Sequence, residues 1–352
     1  MFRVIRDWFH RYFSDVEAVL LFFILILGFS LVIFTGNFLT PVLASLVFAY
    51  LLESPVDCLQ RWNIPRLAAV LIVFLGFLSI LLLSILVLLP LIWKQFISLF
   101  NEIPNMVMKG EEALKGLSQH YPNYFSEEQV KELVSSLVSD ARNWGKVVIT
   151  ASLSSIVSII TWVVYLILMP FLVFFFLKDK DALLNWVSGL LPHKRGVLQK
   201  VASEVNEQIG NYLRGKVTEI IIVSLATYIV FWIFDLNYSA LLAAQVGLSV
   251  LIPYIGIVVA TIPVIIVSFI QWGWSPQFGY FMLVYSILQE LDALILVPLL
   301  FSEAVNLHPV AIVVATLFFG GIWGIWGVFF AIPLATLIKA VINAWPRTAK
   351  AH

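Results

Sequence analysis

Long uncharged runs of apolar residues alternate with short polar segments along most of the chain. A run of about 20 apolar residues lets a helix cross the ~30 Å hydrocarbon core of a bilayer. Eight runs reach or approach this length: 18–36, 38–52, 67–92, 147–177, 217–234, 240–270, 278–300 and 310–342. The pattern predicts an all-α polytopic integral membrane protein with about eight transmembrane helices. The first two runs form either separate spans or a re-entrant pair.

The composition supports a membrane solvent for these runs. Of 352 residues, 61% are hydrophobic and only 12% are charged, with a mean hydropathy of +0.98. A soluble core of this size does not bury so much apolar surface. The formal net charge is zero, so no global field attracts nucleic acid. We therefore expect membrane lipid, and no nucleic acid, among the partners.

The positive charges predict an orientation. Most Lys and Arg residues lie before the first run, between runs two and three, between runs four and five, and at the C-terminus. With eight spans these segments share one side, which the positive-inside rule makes cytoplasmic. Both termini are then cytoplasmic, in one membrane transporter domain over 1–352. Segment 94–146 becomes an extracytoplasmic helical segment, and 178–216 a cytoplasmic amphipathic linker with apolar residues every four positions at 197–213.

Two acids stand inside the seventh run. Glu290 and Asp292 lie in an apolar context, and the chain has no basic residue between Lys216 and Lys339. An ionisable group at membrane depth suggests a functional site by default. Acids of this stretch must pair with basic residues elsewhere, stay protonated, or meet a mobile cation. Gln289 and Asp292 share a helical face, so we expect them to line a substrate or ion pathway, with Glu290 as a further candidate.

Helix-breaking residues interrupt the later runs. Proline frees a backbone carbonyl, and broken helices supply such groups to transport sites. Tyr254 lies between two breakers, and His308 can titrate near neutral pH or serve as a cap. Glycines spaced three or four apart in the last run favour close helix packing. The predicted breaks are Pro253, Gly256, Pro263, Pro298 and Pro309, and the packing glycines are Gly320, Gly321, Gly324 and Gly327.

Motifs of soluble enzymes and metal sites are absent from the sequence. There is one cysteine, Cys58, and no Walker A, H-E-x-x-H or C-x-x-C pattern. We therefore predict no catalytic residue, no metal and no cofactor. A protein without a P-loop that is not an enzyme is expected to act by secondary transport or facilitated diffusion.

Several stretches together resemble one family. They are YLLESPVD at 50–57, VFFFLKDKD at 173–181, NYLRGKVTE at 211–219, LIPYIG at 251–256, LVPLLFSEAVNLHP at 296–309 and FGGIWGIWGVFFAIPLATLIKA at 319–340. In these stretches the chain resembles the autoinducer-2 exporter family of bacterial inner-membrane proteins, and within it the PerM-type permeases.

The resemblance implies eight helices in the bacterial inner (plasma) membrane and a ring-like homo-oligomer such as a pentamer. It implies export of a small hydrophilic metabolite or signalling molecule, with monovalent cation/proton antiport as the alternative. A non-transport membrane scaffold is a third reading. The positions that match prominent family residues include a cytoplasmic motif, to which we add Glu219. They are Arg214, Gly215, Pro253, Gly256, Gln289, Asp292, Pro298, His308, Pro309, Gly321, Gly324 and Gly327.

Overall fold

The regular structure of the described chain is helical throughout. A computed structural model describes residues 16–120, 156–189, 196–301 and 307–344. Its α-helices are α1 (Val16–Arg61), α2 (Arg66–Leu83), α3 (Leu89–His120), α4 (Ile156–Lys178), α5 (Lys180–Gly189), α6 (Gly196–Ile233), α7 (Ser239–Ser249), α8 (Ile255–Trp272), α9 (Pro276–Leu291), α10 (Val297–Phe301) and α11 (Pro309–Ala344). Two π-helical turns, Ser84–Leu88 and Asp292–Leu296, join α2 to α3 and α9 to α10.

Six helical segments within the described residues are long and apolar enough to cross a membrane. They are Thr40–Arg61, Arg66–Gly110, Gln199–Ile233, Ile255–Trp272, Pro276–Phe301 and Pro309–Asn343. Val163–Lys178 and Ser239–Ser249 are shorter apolar helices. The all-α, multi-pass character predicted from the sequence is confirmed. The number of eight spans and the cytoplasmic placement of the termini stay predictions.

The first two apolar runs are not separated in the structure. Runs 18–36 and 38–52 both lie in α1, a continuous helix of 46 residues. At 1.5 Å per residue α1 is about 69 Å long, more than twice the hydrocarbon thickness. The structure has no turn between the two runs, because neither Gly36 nor Asn37 blocks helical hydrogen bonding and each weakens a helix by only about 1 kcal/mol or less.

Two other predicted boundaries also lie inside continuous helices. The amphipathic stretch 196–213 and the fifth apolar run belong to α6, which has 38 residues. Segment 94–120 extends the third run within α3, which ends at His120. Residues 1–15, and positions 121–146 of the predicted extracytoplasmic segment, lie outside the described residues.

The sixth run is broken at one of the predicted places. Helix α7 ends at Ser249 and α8 begins at Ile255. In the elbow between them Tyr254 has a positive φ of 63°, and a Cβ at Gly256 would collide with the carbonyl oxygen of Ser249. Pro263, by contrast, lies within α8. A break there is wrong, because a lone proline removes one hydrogen bond and the helix continues past it.

The last run folds back on itself at Gly324. Within α11 this residue has φ 61° and ψ −138°, a conformation that glycine tolerates. A Cβ at Gly327 would meet the Phe319 carbonyl, and Gly320 faces Val328, which a straight helix would hold far apart. The ring centroids of Trp323 and Phe330 lie 5.9 Å apart. Segment α11 is therefore a helical hairpin with antiparallel arms at 309–323 and 325–344.

Helices α6 to α9 share the largest apolar core. Its ring-bearing members are Phe231, Phe281 and Tyr285, with ring centroids between 5.5 and 6.3 Å apart. A hydroxyl contact of 2.9 Å joins Thr261 of α8 to Tyr285 of α9. Gly247 of α7 lets its backbone approach Ser224 of α6. This core fixes the elbow and the π turn beside α6, where the charged groups lie.

Candidate functional site

A buried lysine connects three helical elements. Lys216 projects from α6, and its Nζ donates to Glu219 Oε2 at 2.6 Å and to the carbonyl oxygen of Val250 at 2.8 Å. Val250 belongs to the elbow between α7 and α8. The same ammonium lies over the Phe301 ring at the end of α10, 5.1 Å from its centroid. Lys216 thus joins α6 to the elbow and to the end of α10.

A second acid faces this pair. Asp292 begins the π turn and is only 8% exposed. It interacts electrostatically with Lys216 and with Glu219. Its Oδ1 atom is buried and has no hydrogen-bond partner among the described residues. One ammonium therefore faces two carboxylates, and a carboxylate oxygen is left without a donor.

Gln289 adds a second unsatisfied group to the same helical face. Its side-chain oxygen and nitrogen are buried and make no hydrogen bond within 3.5 Å in the described part of the chain, with the Tyr285 hydroxyl as a neighbouring polar group. A buried polar group without a hydrogen bond costs about 1 to 3 kcal/mol, so such groups are retained where a ligand or water can satisfy them. Gln289 and Asp292 together offer two acceptor atoms and one donor atom. We call Lys216, Glu219, Gln289 and Asp292 the central polar cluster.

The π turn sets where Asp292 points. The amide of Val297 donates to the carbonyl oxygen of Asp292, five residues back, in place of the usual four. One residue is thereby inserted into the helix, which turns α10 relative to α9. Such single-turn bulges are frequent at functional sites. Asp292 lies within the apolar segment Pro276–Phe301, about 24 Å of helix from Pro276.

Glu290 lies on the opposite face. It is exposed and lines a surface groove with Leu283, Ile287 and Leu294. The sequence prediction that Gln289 and Asp292 share a face while Glu290 points elsewhere agrees with this placement. The structure does not bring Glu290 to the central polar cluster.

Two other pathway candidates also lie apart from the cluster. Tyr254 is in the elbow and is 58% exposed. His308 is exposed, and its Nδ1 accepts a hydrogen bond from the amide of Val310 at 3.2 Å. His308 therefore caps the first turn of α11, which begins at Pro309. Pro298 lies in the short helix α10 and is exposed.

The predicted cytoplasmic motif divides between surface and core. Arg214 is exposed and donates to Asn211 Oδ1 at 3.0 Å. Gly215 is buried, and a Cβ there would lie 2.8 Å from the Phe301 ring. Glu219 is buried beside Lys216 rather than placed at a surface. The packing glycines Gly320, Gly324 and Gly327 serve the hairpin itself, whereas Gly321 faces open space.

Lys216 is the member of the central polar cluster that the sequence did not single out. It lies at the boundary between an amphipathic stretch and an apolar run, so it counts equally well as the last residue of a loop. The signal was its spacing of three from Glu219, which puts opposite charges on one helical face. Of the three ways to balance the acids, pairing with an earlier basic residue holds for Glu219.

The fold and the cluster define a multi-pass helical membrane protein with a polar site among its spans. A sequence model of the family described as AI-2E family transporter matches residues 20–347, so the chain belongs to that family of transporters. The chain is 47% identical to "Putative permease PerM" of Escherichia coli K12 over 346 residues, covering 98% of both proteins. It is 28% identical to "Putative transport protein YueF" of Bacillus subtilis, covering 88% of this chain and 84% of that protein.

Proposed function

We propose that this transporter is a secondary permease that exports a small hydrophilic solute across the bacterial inner membrane. The observation that carries the proposal is the central polar cluster, where buried Gln289 and Asp292 atoms have no partner among the described residues. Two broken helical elements meet there, as in transporters whose sites lie at discontinuous helices. The family and the names of its relatives support transport, and the solute and the direction are our proposal.

The test is transport by the purified protein in proteoliposomes. Vesicles loaded with a mixture of small hydrophilic metabolites are given imposed pH and sodium gradients, and efflux is followed by mass spectrometry. The wild type should release at least one solute faster than empty vesicles. Asp292→Asn should lower that rate at least tenfold while the protein stays monodisperse in detergent.

The matched control is Glu290→Gln, which changes a carboxylate two residues away on the outward face. It should retain most of the wild-type rate. Equal rates for Asp292→Asn and the wild type would remove Asp292 from the pathway. A protein that moves no solute under any gradient would instead support the scaffold reading.

The excess of acid over base in the cluster favours a second candidate, monovalent cation/proton antiport. Two carboxylates facing one ammonium leave one negative charge to be balanced. A pH-sensitive dye in vesicles would then respond when sodium or lithium is added. Absence of a pH change with either ion would exclude this candidate. Homo-oligomeric assembly stays a prediction, which cross-linking in membranes would test.

A further inference from the structure

The two carboxylates of the central polar cluster differ in their contacts. Glu219 Oε2 accepts a short hydrogen bond from the Lys216 ammonium, and both side chains are less than 10% exposed. The same ammonium also donates to the Val250 carbonyl and lies over the Phe301 ring. The ammonium is thereby committed to Glu219 and to the elbow. Asp292 feels its charge but receives no hydrogen bond on Oδ1 from the described residues.

A charge count then isolates one site. Lys216, Glu219 and Asp292 together carry a formal charge of minus one when all three are ionised. Among the described residues, the titratable tyrosines beside the cluster are Tyr212 on α6 and Tyr285 on α9, and neither supplies a positive charge at neutral pH. Tyr212 donates to the Phe329 carbonyl, and the Tyr285 hydroxyl contacts Thr261 and lies near the Gln289 side chain. An unbalanced buried charge is unstable, so the cluster needs one more positive charge.

We propose that Asp292 holds one exchangeable unit of positive charge, as a proton or an alkali metal ion, and that Lys216 and Glu219 form a fixed neutral pair beside it. The ion binds Asp292 Oδ1, with the Gln289 side-chain oxygen as a neighbouring oxygen ligand. Both occupants satisfy the same orphaned oxygen. The inference rests on the proposed transport function only in one respect, namely that ion exchange at Asp292 would be coupled to solute movement. Binding of the ion itself can be measured without transport.

The test is infrared difference spectroscopy of the full chain in proteoliposomes, with no solute present. Spectra are taken across steps of pH, and across steps of sodium or lithium chloride at fixed pH. The wild type should show the carbonyl band of a protonated carboxyl group that disappears along one of these axes. Loss with pH alone identifies a proton site. Loss on adding sodium or lithium at fixed pH identifies exchange with an alkali metal ion.

Three variants assign the band. Asp292→Asn should remove the responding band, and Glu290→Gln should keep it. Glu219→Gln should also remove it, because Lys216 and Asp292 then balance each other without an added ion. If Asp292→Asn fails to fold, Asp292→Glu retains an acid at the site and should shift the frequency of the band.

The outcomes separate this site from the proposed function. A band that is unchanged in Asp292→Asn or Asp292→Glu overturns the site, even if the protein transports solute. The absence of any responding carboxyl band in the wild type overturns it equally. A band that responds as expected in a protein that moves no solute keeps the ion site and removes the transport proposal.

Discussion

Two charged clusters in this chain are built with opposite imbalances. At the junction of α1, α2, α4 and α5, Glu53 Oε1 accepts from Arg66 at 3.2 Å and from Lys180 Nζ at 2.8 Å, so two cations share one carboxylate. In the central polar cluster one ammonium faces two carboxylates. The Lys180 side chain is 40% exposed, whereas that of Lys216 is 7% exposed.

The difference in solvent decides what each imbalance means. At the junction, water and salt ions can neutralise the surplus cation at little cost, and Arg66 also donates to the Leu177 carbonyl at 2.9 Å. That cluster ties four helices together, and its one buried atom without a described partner, Arg66 Nε, belongs to a side chain that is already paired with Glu53. In the centre, burial leaves the surplus acid without such help, so the imbalance points to a bound charge. The same residue types thus hold helices together at the junction and form a candidate binding site in the central polar cluster.

The largest expected effect comes from removing the central ammonium. Lys216→Met leaves Glu219 and Asp292 without their cation, and breaking a buried pair on one side destabilises a protein by about 3 to 5 kcal/mol. The midpoint of unfolding in detergent should fall accordingly, measured by SDS titration or heating. Lys180→Met is the matched control at the junction. Similar losses for both variants would erase the contrast between the clusters.

A smaller effect is expected at Gly215, where the Phe301 ring closes over Lys216. In Gly215→Ala the new Cβ overlaps that ring and the Leu300 carbonyl, and overpacking of this kind costs about 1 to 3 kcal/mol. The same unfolding measurement reports it. Gly279→Ala in α9 adds a methyl group to open space and should be neutral or slightly stabilising. Wild-type stability in Gly215→Ala would show that the ring moves away freely.

A double-mutant cycle measures the coupling free energy between Lys216 and Glu219. Lys216→Met combined with Glu219→Gln should be less destabilised than the sum of the single variants. Residues in one network couple by about 0.5 to 3 kcal/mol. The four unfolding free energies of the cycle give the coupling directly. Additive effects would mean that the contact of 2.6 Å contributes nothing net.

The smallest effect is expected at the junction. Lys180→Met should cost no more than about 1 kcal/mol, because Arg66 still pairs with Glu53 and the lost partner was part-exposed. Raising sodium chloride should shrink that cost, since salt screens exposed charges. The Lys216→Met cost should change little over the same range. If the stability cost of Lys216→Met instead depended strongly on salt, the central cluster would be in contact with bulk water.

The sequence alone predicted the apolar helices and the helical face that Gln289 and Asp292 share. Apolar runs follow directly from the hydrophobic thickness of a bilayer, and the i, i+3 spacing of Gln289 and Asp292 is local. Helix breaks were harder to predict, because Pro253 lies in a break between two helices while Pro263 lies inside a helix. That outcome depends on whether packed neighbours support the strained backbone, as Tyr254 and Gly256 show.

The remaining errors have a common origin in tertiary contacts. Four glycines in the last run all permit a turn, but only Gly324 takes the positive φ. The choice depends on which residues pack across the two arms. Likewise, Lys216 reads as a loop residue until the elbow at Val250 and the ring of Phe301 are placed around it. No window of neighbouring sequence contains those partners.

The reversal of α11 at Gly324 affects the number of membrane crossings and therefore the side on which the end of α11 lies. A polypeptide that turns back within its last apolar run leaves the bilayer through the leaflet by which it entered. Such a run does not change the side of the membrane on which the chain continues, although its 36 residues are long enough to cross the bilayer once. An impermeant thiol reagent should then reach cysteines introduced at His308 and at Asn343 from one and the same compartment.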